Sequence, residues 1–316
     1  MKKILVSIIA LLVILGAAAG IAYWRASQGA PASSLETQYL QPADRFLDVA
    51  GARIRIREEG EPTSLPIILI HGFTHSLETW DGWANALKSD YRVIRYDLLG
   101  HGLTGPDPKE RYAPEERAAF IGDVMDALQI EHAAIAGNSL GGLAAWRFAA
   151  NNPDRTEALV LVSPGAYPLN GAGDEPAEIP AAMKAYLMTA PEAGVRASAE
   201  IIYGDDEKIT DARLASMRDM MRREGNGEAM IRSLEEFTLP DPTAALAGIE
   251  APTLILWGEE DAVIPIAQGR TMEETMPNAQ FISYPGVGHA AQEEAPEATV
   301  ADAMAFLAKH YPAKGE

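Results

Sequence analysis

Short stretches of continuous or nearly continuous apolar character recur along the chain: Pro66–Ile70 (PIILI), Tyr91–Leu98 (YRVIRYDL), Ala133–Gly137, Ala158–Val162, Thr253–Trp257 and Gln280–Tyr284. Runs of this length, bounded by turn residues, predict strands buried on both faces. Between them the apolar spacing becomes helical, over Leu77–Leu87, Pro114–Leu128, Leu140–Asn151, Ile266–Met276 and Glu293–His310. Strands alternating with helices imply a mostly parallel sheet with helices on both faces. Upstream, Arg45–Val49 and Arg53–Arg57 alternate apolar with polar around Ala50-Gly51-Ala52, the pattern of a hairpin.

One region breaks the rhythm. From Pro164 to about Gly248 no strand is predicted, and the pattern reads as helices over Ala177–Leu187, Ala193–Ile202, Asp211–Arg223 and Glu228–Phe237. A helical insertion between two core strands predicts a cap over the strand ends. Met183, Met188, Met217, Met220, Met221 and Met230 lie in it, either as packing between cap and core or as an adaptable pocket wall. Arg213, Arg218, Arg222 and Arg223 read as a solvated helix face, with carboxylate binding as the alternative. The organisation expected is an N-terminal segment over 1–25, a linker over 26–44, an α/β core over 45–163 and 249–316, and the cap over 164–248.

The N-terminus carries its own signal. Lys2 and Lys3 precede an uncharged run from Ile4 to Trp24, long enough for a helix of about 20 residues to cross a bilayer. Tyr23 and Trp24 at its far end suit an interface. The expectation is a membrane anchor with the catalytic domain exported; the alternative is a signal peptide cleaved near Ala17-Ala18-Ala19, leaving a secreted or periplasmic domain. Ala26–Ser34, small and uncharged, reads as a flexible tether.

Composition narrows the chemistry. With 26 basic against 45 acidic residues the net charge is −19, which repels phosphate backbones and argues against a nucleic-acid partner. The absence of cysteine excludes disulfides, thiolate nucleophiles and cysteine-ligated metals.

Against that background one pattern stands out. Gly137-Asn138-Ser139-Leu140-Gly141 matches G-x-S-x-G between an apolar strand and an alanine-rich helix. The strand-to-helix turn presents Ser139 as a nucleophile, with the helix N-terminus supplying positive potential for developing negative charge. A serine needs a base. His289, in Gly286-Val287-Gly288-His289 after the last strand, reaches the same end of the sheet. His71 and His101 also follow strands but lie in glycine-flanked turns; His75 is a looser candidate, and His132 and His310 read as surface or packing residues. The carboxylate that orients the base is Asp261, after Thr253–Trp257, with Glu259 and Glu260 as competitors and Asp123 and Asp126 poorly placed on a helix. The N–H groups of Phe73 and Leu140 are the candidate oxyanion donors.

From about Phe46 to Tyr311, apart from the insertion, the chain resembles the α/β-hydrolase superfamily. The motifs that carry the resemblance are His71-Gly72-Phe73, Asp97-Leu98-Leu99-Gly100-His101-Gly102, Gly137–Gly142, Gly258–Asp261 and Gly288-His289. It implies an α/β-hydrolase fold and a Ser139–His289–Asp261 triad cleaving a small to medium hydrophobic carboxylic ester. Carbon–carbon hydrolases of meta-cleavage products, lactonases and perhydrolases share the pattern, although Phe73-Thr74-His75 does not match the longer glycine-rich oxyanion loop of the carbon–carbon enzymes. A non-catalytic, membrane-tethered binding module is the reading of another class. Gly100–Gly105 also fits G-x-G-x-x-G, but Pro106 and Pro108 follow where a dinucleotide site needs a helix. Neither cofactor nor metal is expected.

Overall fold

A computed structural model describes residues 17, 18 and 20–313. Its strands are β1 (Asp44–Val49), β2 (Ala52–Glu59), β3 (Pro66–Ile70), β4 (Arg92–Tyr96), β5 (Ala133–Asn138), β6 (Thr156–Val162), β7 (Thr253–Gly258) and β8 (Ala279–Tyr284). They form one sheet in the order β1-β2-β4-β3-β5-β6-β7-β8. β1 and β2 form the antiparallel hairpin read from the sequence, β2 is antiparallel to β4, and every later neighbour is parallel. This is the α/β-hydrolase fold expected, with a mostly parallel sheet and helices on both faces.

The period-two geometry of the strands divides the core. Ile68, Ile70, Ile135, Leu159, Leu161 and Ile255 face one layer, with helices Pro114–Ala127 and Leu140–Asn151. Ile67, Leu69, Ala134, Val160 and Leu254 face the other, where Trp83, Leu87 and Phe306 pack from helices Asp81–Leu87 and Pro296–His310. Both faces being apolar explains why these strands read as runs and not as alternations.

β2 adds a feature to the hairpin. Ile54 and Ile56 enter the core as expected, but Arg55 and Arg57 on the opposite face are 0% and 5% exposed. Asp44 meets both, at 2.7 Å from Arg55 Nη2 and 3.0 Å from Arg57 Nη2. Burying these guanidiniums requires such partners.

Residues 164–248 lie between β6 and β7 and hold helices Ala181–Thr189, Glu192–Ile202, Asp211–Arg222, Asn226–Glu235 and Thr243–Ala247. Met217, Met221 and Met230 pack in a buried cluster with Leu187, Val195 and Leu214. Arg213 is no solvated cation: its Nη2 donates to Glu293 Oε2 at 3.0 Å, across the boundary between insertion and core.

The N-terminal expectations require correction. Among the described residues no helix is long and apolar enough to cross a membrane. Of the Ile4–Trp24 run, residues 17, 18 and 20–24 are described and are helical. Residues 4–16 and 19 of the run lie outside the described residues. The membrane-anchored, exported domain read from that run is corrected accordingly, since no described helix could span a bilayer. The flexible tether is corrected as well. Ala30 exchanges backbone bonds with the cap, Ala30 N to Arg222 O at 2.5 Å and Glu224 N to Ala30 O at 2.9 Å. A helix follows at Ala32–Tyr39; its Leu35 is buried against Leu103 and Met220, and Tyr39 Oη donates to Asp219 Oδ2 at 2.6 Å. Composition alone hid this strap because its partners lie in the cap, some 180 residues further on for Tyr39.

Candidate active site

The carboxyl ends of β3, β5, β7 and β8 deliver the candidate residues to one edge of the sheet, where ligands bind in open α/β folds. Ser139 follows β5 directly and caps helix Leu140–Asn151 with φ 53° and ψ −115°. A positive φ at a non-glycine residue is strained and turns the side chain outward. The elbow works only because the helix comes very close to β3: a Cβ on Gly141 would lie 2.3 Å from Ile70 O and 2.5 Å from His71 O.

His289 and Asp261 meet as a pair, His289 Nδ1 to Asp261 Oδ2 at 2.8 Å. The other carboxylate oxygen of Asp261 accepts the N–H groups of Val263 and Ile264, each at 2.9 Å. With one oxygen committed to its own turn, Asp261 offers the second to the imidazole alone. Glu259 is turned away, accepting from Ser283 Oγ at 2.8 Å. Asp123 and Asp126 pair instead with Arg111 and Arg155.

Ser139 and His289 line one cavity of about 230 Å³ together with Phe73, His75, Asn138 and a set of cap side chains. Cap and core share its wall: Met183, Tyr186, Leu187, Ile201 and Ile202 come from the insertion, and Val263 from the loop after Asp261. Of the cap methionines, Met183 is the one that faces this space; it is 43% exposed, whereas Met217, Met221 and Met230 are buried.

The His71-Gly72-Phe73 turn packs against the elbow, since a Cβ on Gly72 would lie 3.1 Å from Ser139 Cβ. Phe73 lines the cavity, while Leu140 opens the helix behind Ser139. Neither the Phe73 N–H nor the Leu140 N–H donates a hydrogen bond to another described residue. Asp97, just after β4, ties the segments after β3 and β4 together, its two oxygens accepting Leu77 N–H and Leu103 N–H at 2.8 Å each. Burial pushes the Asp97 carboxyl up to about 6 against the pull of Arg55.

The remaining buried histidines are built as neutral groups. His71 Nε2 accepts Leu98 N–H at 2.9 Å while Nδ1 lies 2.7 Å from Gly72 O, so both nitrogens are occupied. Burial lowers His71 and His75 to about 4 and His101 well below its ordinary value. His75, which lines the cavity, has Nδ1 2.8 Å from Phe73 O, and its buried Nε2 has no hydrogen-bond partner among the described residues. His132 Nδ1 is held by Asp154 O far from this edge.

Two residues of the site escaped the sequence reading. Asn138, a variable position of the G-x-S-x-G pattern, donates from Nδ2 to Val162 O at 3.0 Å and to His289 O at 3.1 Å. Glu294 accepts Gly288 N–H at 2.6 Å, just before His289. Nothing in the sequence marked either one.

Comparison with known proteins agrees with this architecture. The chain is 28% identical over 264 residues to the 2-hydroxy-6-oxo-6-phenylhexa-2,4-dienoate hydrolase of Burkholderia cepacia, covering 81% of this chain and 91% of that protein. It is 29% identical over 293 residues to a 2-hydroxy-6-oxononadienedioate/2-hydroxy-6-oxononatrienedioate hydrolase of Escherichia coli, covering 87% and 99%. Among solved structures, the enol-lactonase of Burkholderia xenovorans superposes with a TM-score of 0.72 at 25% identity, over 83% of this chain and 99% of that one. The family model described as the alpha/beta hydrolase fold matches residues 66–296, from β3 to beyond His289, and on that match the chain belongs to the α/β-hydrolase family.

Proposed function

We propose that this hydrolase cleaves small to medium, uncharged carboxylic esters through an acyl-enzyme on Ser139. His289 Nε2 takes the Ser139 proton as Oγ attacks the ester carbonyl. The N–H groups of Phe73 and Leu140 meet the oxyanion, each donor of this kind being worth about 3–4 kcal/mol in the transition state. Collapse of the tetrahedral intermediate expels the alkoxide, which leaves as alcohol with the proton from His289. Water, deprotonated by His289, then attacks the acyl-serine; the acid departs and Ser139 regains its proton. Asp261 holds the Nδ1 proton throughout and stabilises the imidazolium.

The observation that supports this reading is the composition of the cavity onto which Ser139 and His289 open: among the described residues its wall holds no lysine or arginine. A dienoate substrate brings a carboxylate that would need a cation there, and the nearby Arg213 is engaged by Glu293. The volume of about 230 Å³ lies below the roughly 300–1,000 Å³ of pockets for drug-sized ligands, in keeping with a short acyl or alkyl group. Carbon–carbon hydrolysis is the second reading, favoured by likeness to the two dienoate hydrolases over almost their whole length.

Two assays decide. A fluorophosphonate probe is expected to label Ser139 in the wild type, weakly in His289→Ala and not at all in Ser139→Ala. Turnover of p-nitrophenyl butyrate is then compared with that of a 2-hydroxy-6-oxo-dienoic acid on the same preparation. Faster turnover of the dienoate overturns the ester assignment; hydrolysis that survives Ser139→Ala overturns the nucleophile.

A further inference from the structure

Helix Glu192–Ile202 of the cap ends against the loop that carries His289. His289 N–H donates to Ile202 O at 2.7 Å. The two backbones touch without side chains between them: a Cβ on Gly288 would lie 2.4 Å from both Gly204 N and Ile202 O. Substitution at this contact would force the two segments apart.

Glu294 closes the contact. It is 4% exposed, and its carboxylate accepts three backbone N–H groups. Two belong to the cap, Gly204 to Oε2 at 3.1 Å and Asp205 to Oε1 at 2.9 Å; the third is Gly288, to Oε2 at 2.6 Å. Lys208 Nζ adds a bond to the Glu294 carbonyl at 2.9 Å. Charge-assisted bonds of this kind are short and roughly twice as strong as neutral ones. One buried side chain thus joins the cap segment 202–205 to the residue before the imidazole.

We infer that Glu294 is a positioning residue that makes seating of the cap and alignment of the His289 imidazole a single event. The inference rests on the triad reading above. If segment 202–205 lifts, Glu294 loses two of its donors and His289 loses its bond to Ile202, so the imidazole bonded to Asp261 loses the backbone contacts that position it.

The test uses the full chain carrying Glu294→Gln, with Glu294→Ala beside it. A glutamine oxygen has two lone pairs and cannot serve three donors, and its NH2 must face at least one N–H. With p-nitrophenyl acetate, too small to depend on cap contacts, kcat is expected to fall about 10- to 100-fold with KM within about twofold, the size of loss that misalignment near 1 Å brings. Fluorophosphonate labelling should slow in parallel, and glutamine should retain more activity than alanine. The His289 Nδ1 proton, downfield in the wild type because of its bond to Asp261, should shift or broaden. A merely structural brace predicts otherwise: a lower melting temperature, with kcat per titrated site and the His289 resonance unchanged, and that result overturns the inference. A wild type that neither labels nor turns over esters sinks the ester reading; the resonance then decides alone, displacement supporting the positioning role and an unmoved signal refuting it.

Discussion

Replacing Asp261 by asparagine isolates the proton arrangement of the triad from its shape. Asp261 Oδ1 accepts two turn N–H groups at 2.9 Å, and Oδ2 meets His289 Nδ1 at 2.8 Å, the side chain being 0% exposed. Asparagine has the same outline and one acceptor. The Val263 and Ile264 N–H groups require oxygen on their side, because a flipped amide would set NH2 against both. The amide nitrogen therefore faces Nδ1, which must become the acceptor, and the imidazole proton moves to Nε2. An Nε2–H cannot receive the Ser139 proton. Serine-hydrolase triads forced into the wrong tautomer lose about 10⁴ in kcat, equivalent to about 5.4 kcal/mol of transition-state stabilisation. Folding loses much less: the turn bonds survive and one hydrogen bond changes partner, a cost of about 1–2 kcal/mol. Initial rates on p-nitrophenyl butyrate at neutral pH, with thermal unfolding of the same samples, separate the two effects. A loss of tenfold or less with the melting temperature held would refute the claim that Asp261 sets the tautomer of His289.

Other perturbations follow from the same geometry. Gly141→Ala drives a methyl into the Ile70 and His71 carbonyls, at 2.3 and 2.5 Å, and should cost about 3 kcal/mol or more in urea denaturation; a wild-type midpoint would contradict the close approach. Lowering the pH from 7 to about 5 should reduce stability. His71, His75 and His101 have folded pKa values depressed by burial, so the stability they confer is present above about 6.5 and is lost as pH falls toward the folded values, about 4 for His71 and His75. Asp97, raised to about 6, works in the opposite sense, leaving a net uptake of roughly two protons on unfolding near pH 5, readable from the pH dependence of the urea midpoint. Leu35→Ala removes the buried anchor of the N-terminal strap, at a cost of about 2–4 kcal/mol to its docking, and should expose the chain before residue 40 to limited proteolysis; unchanged cleavage would mean that the Ala30 and Tyr39 bonds hold it unaided.

What could be read from the sequence was decided by how local its signal is. The parallel strands announced themselves because both faces are buried, and Ser139 because a strand, a glycine-flanked serine and a helix are contiguous. Asp261 and His289 were recognisable from the strands that precede them, and the structure places them 2.8 Å apart. The burial of Arg55 and Arg57 could not be read locally, because the carboxylates covering them, Asp44 and Glu78, come from other segments. Arg213 misled for the same reason, its partner Glu293 lying 80 positions further on. Asn138 and Glu294 were invisible because their partners are backbone groups, 151 positions away for the bond from Asn138 to His289 and 90 for that from Glu294 to Gly204.

Those distant bonds also explain why the strained elbow persists. A backbone conformation like that of Ser139 costs about 1–3 kcal/mol. Ser139 N–H donates to Val162 O at 3.1 Å, and its carbonyl accepts Leu143 N–H at 2.9 Å and Gly165 N–H at 3.1 Å. Asn138 adds its two bonds, to Val162 O and His289 O. At a net contribution near 1 kcal/mol each, these bonds outweigh the strain, so relaxing the elbow would cost more than it releases. The same set fixes the base. Asn138 holds the carbonyl of His289, Ile202 accepts its N–H, and Glu294 holds the N–H of the residue before it. On the proposed triad the His289 imidazole is thereby aligned through its main chain from three directions, by β5, by the insertion and by the short helix Ala291–Glu294 that follows it. Since one of those three is the insertion, displacing it would, on the proposed triad, act on the position of the base as well as on access to Ser139.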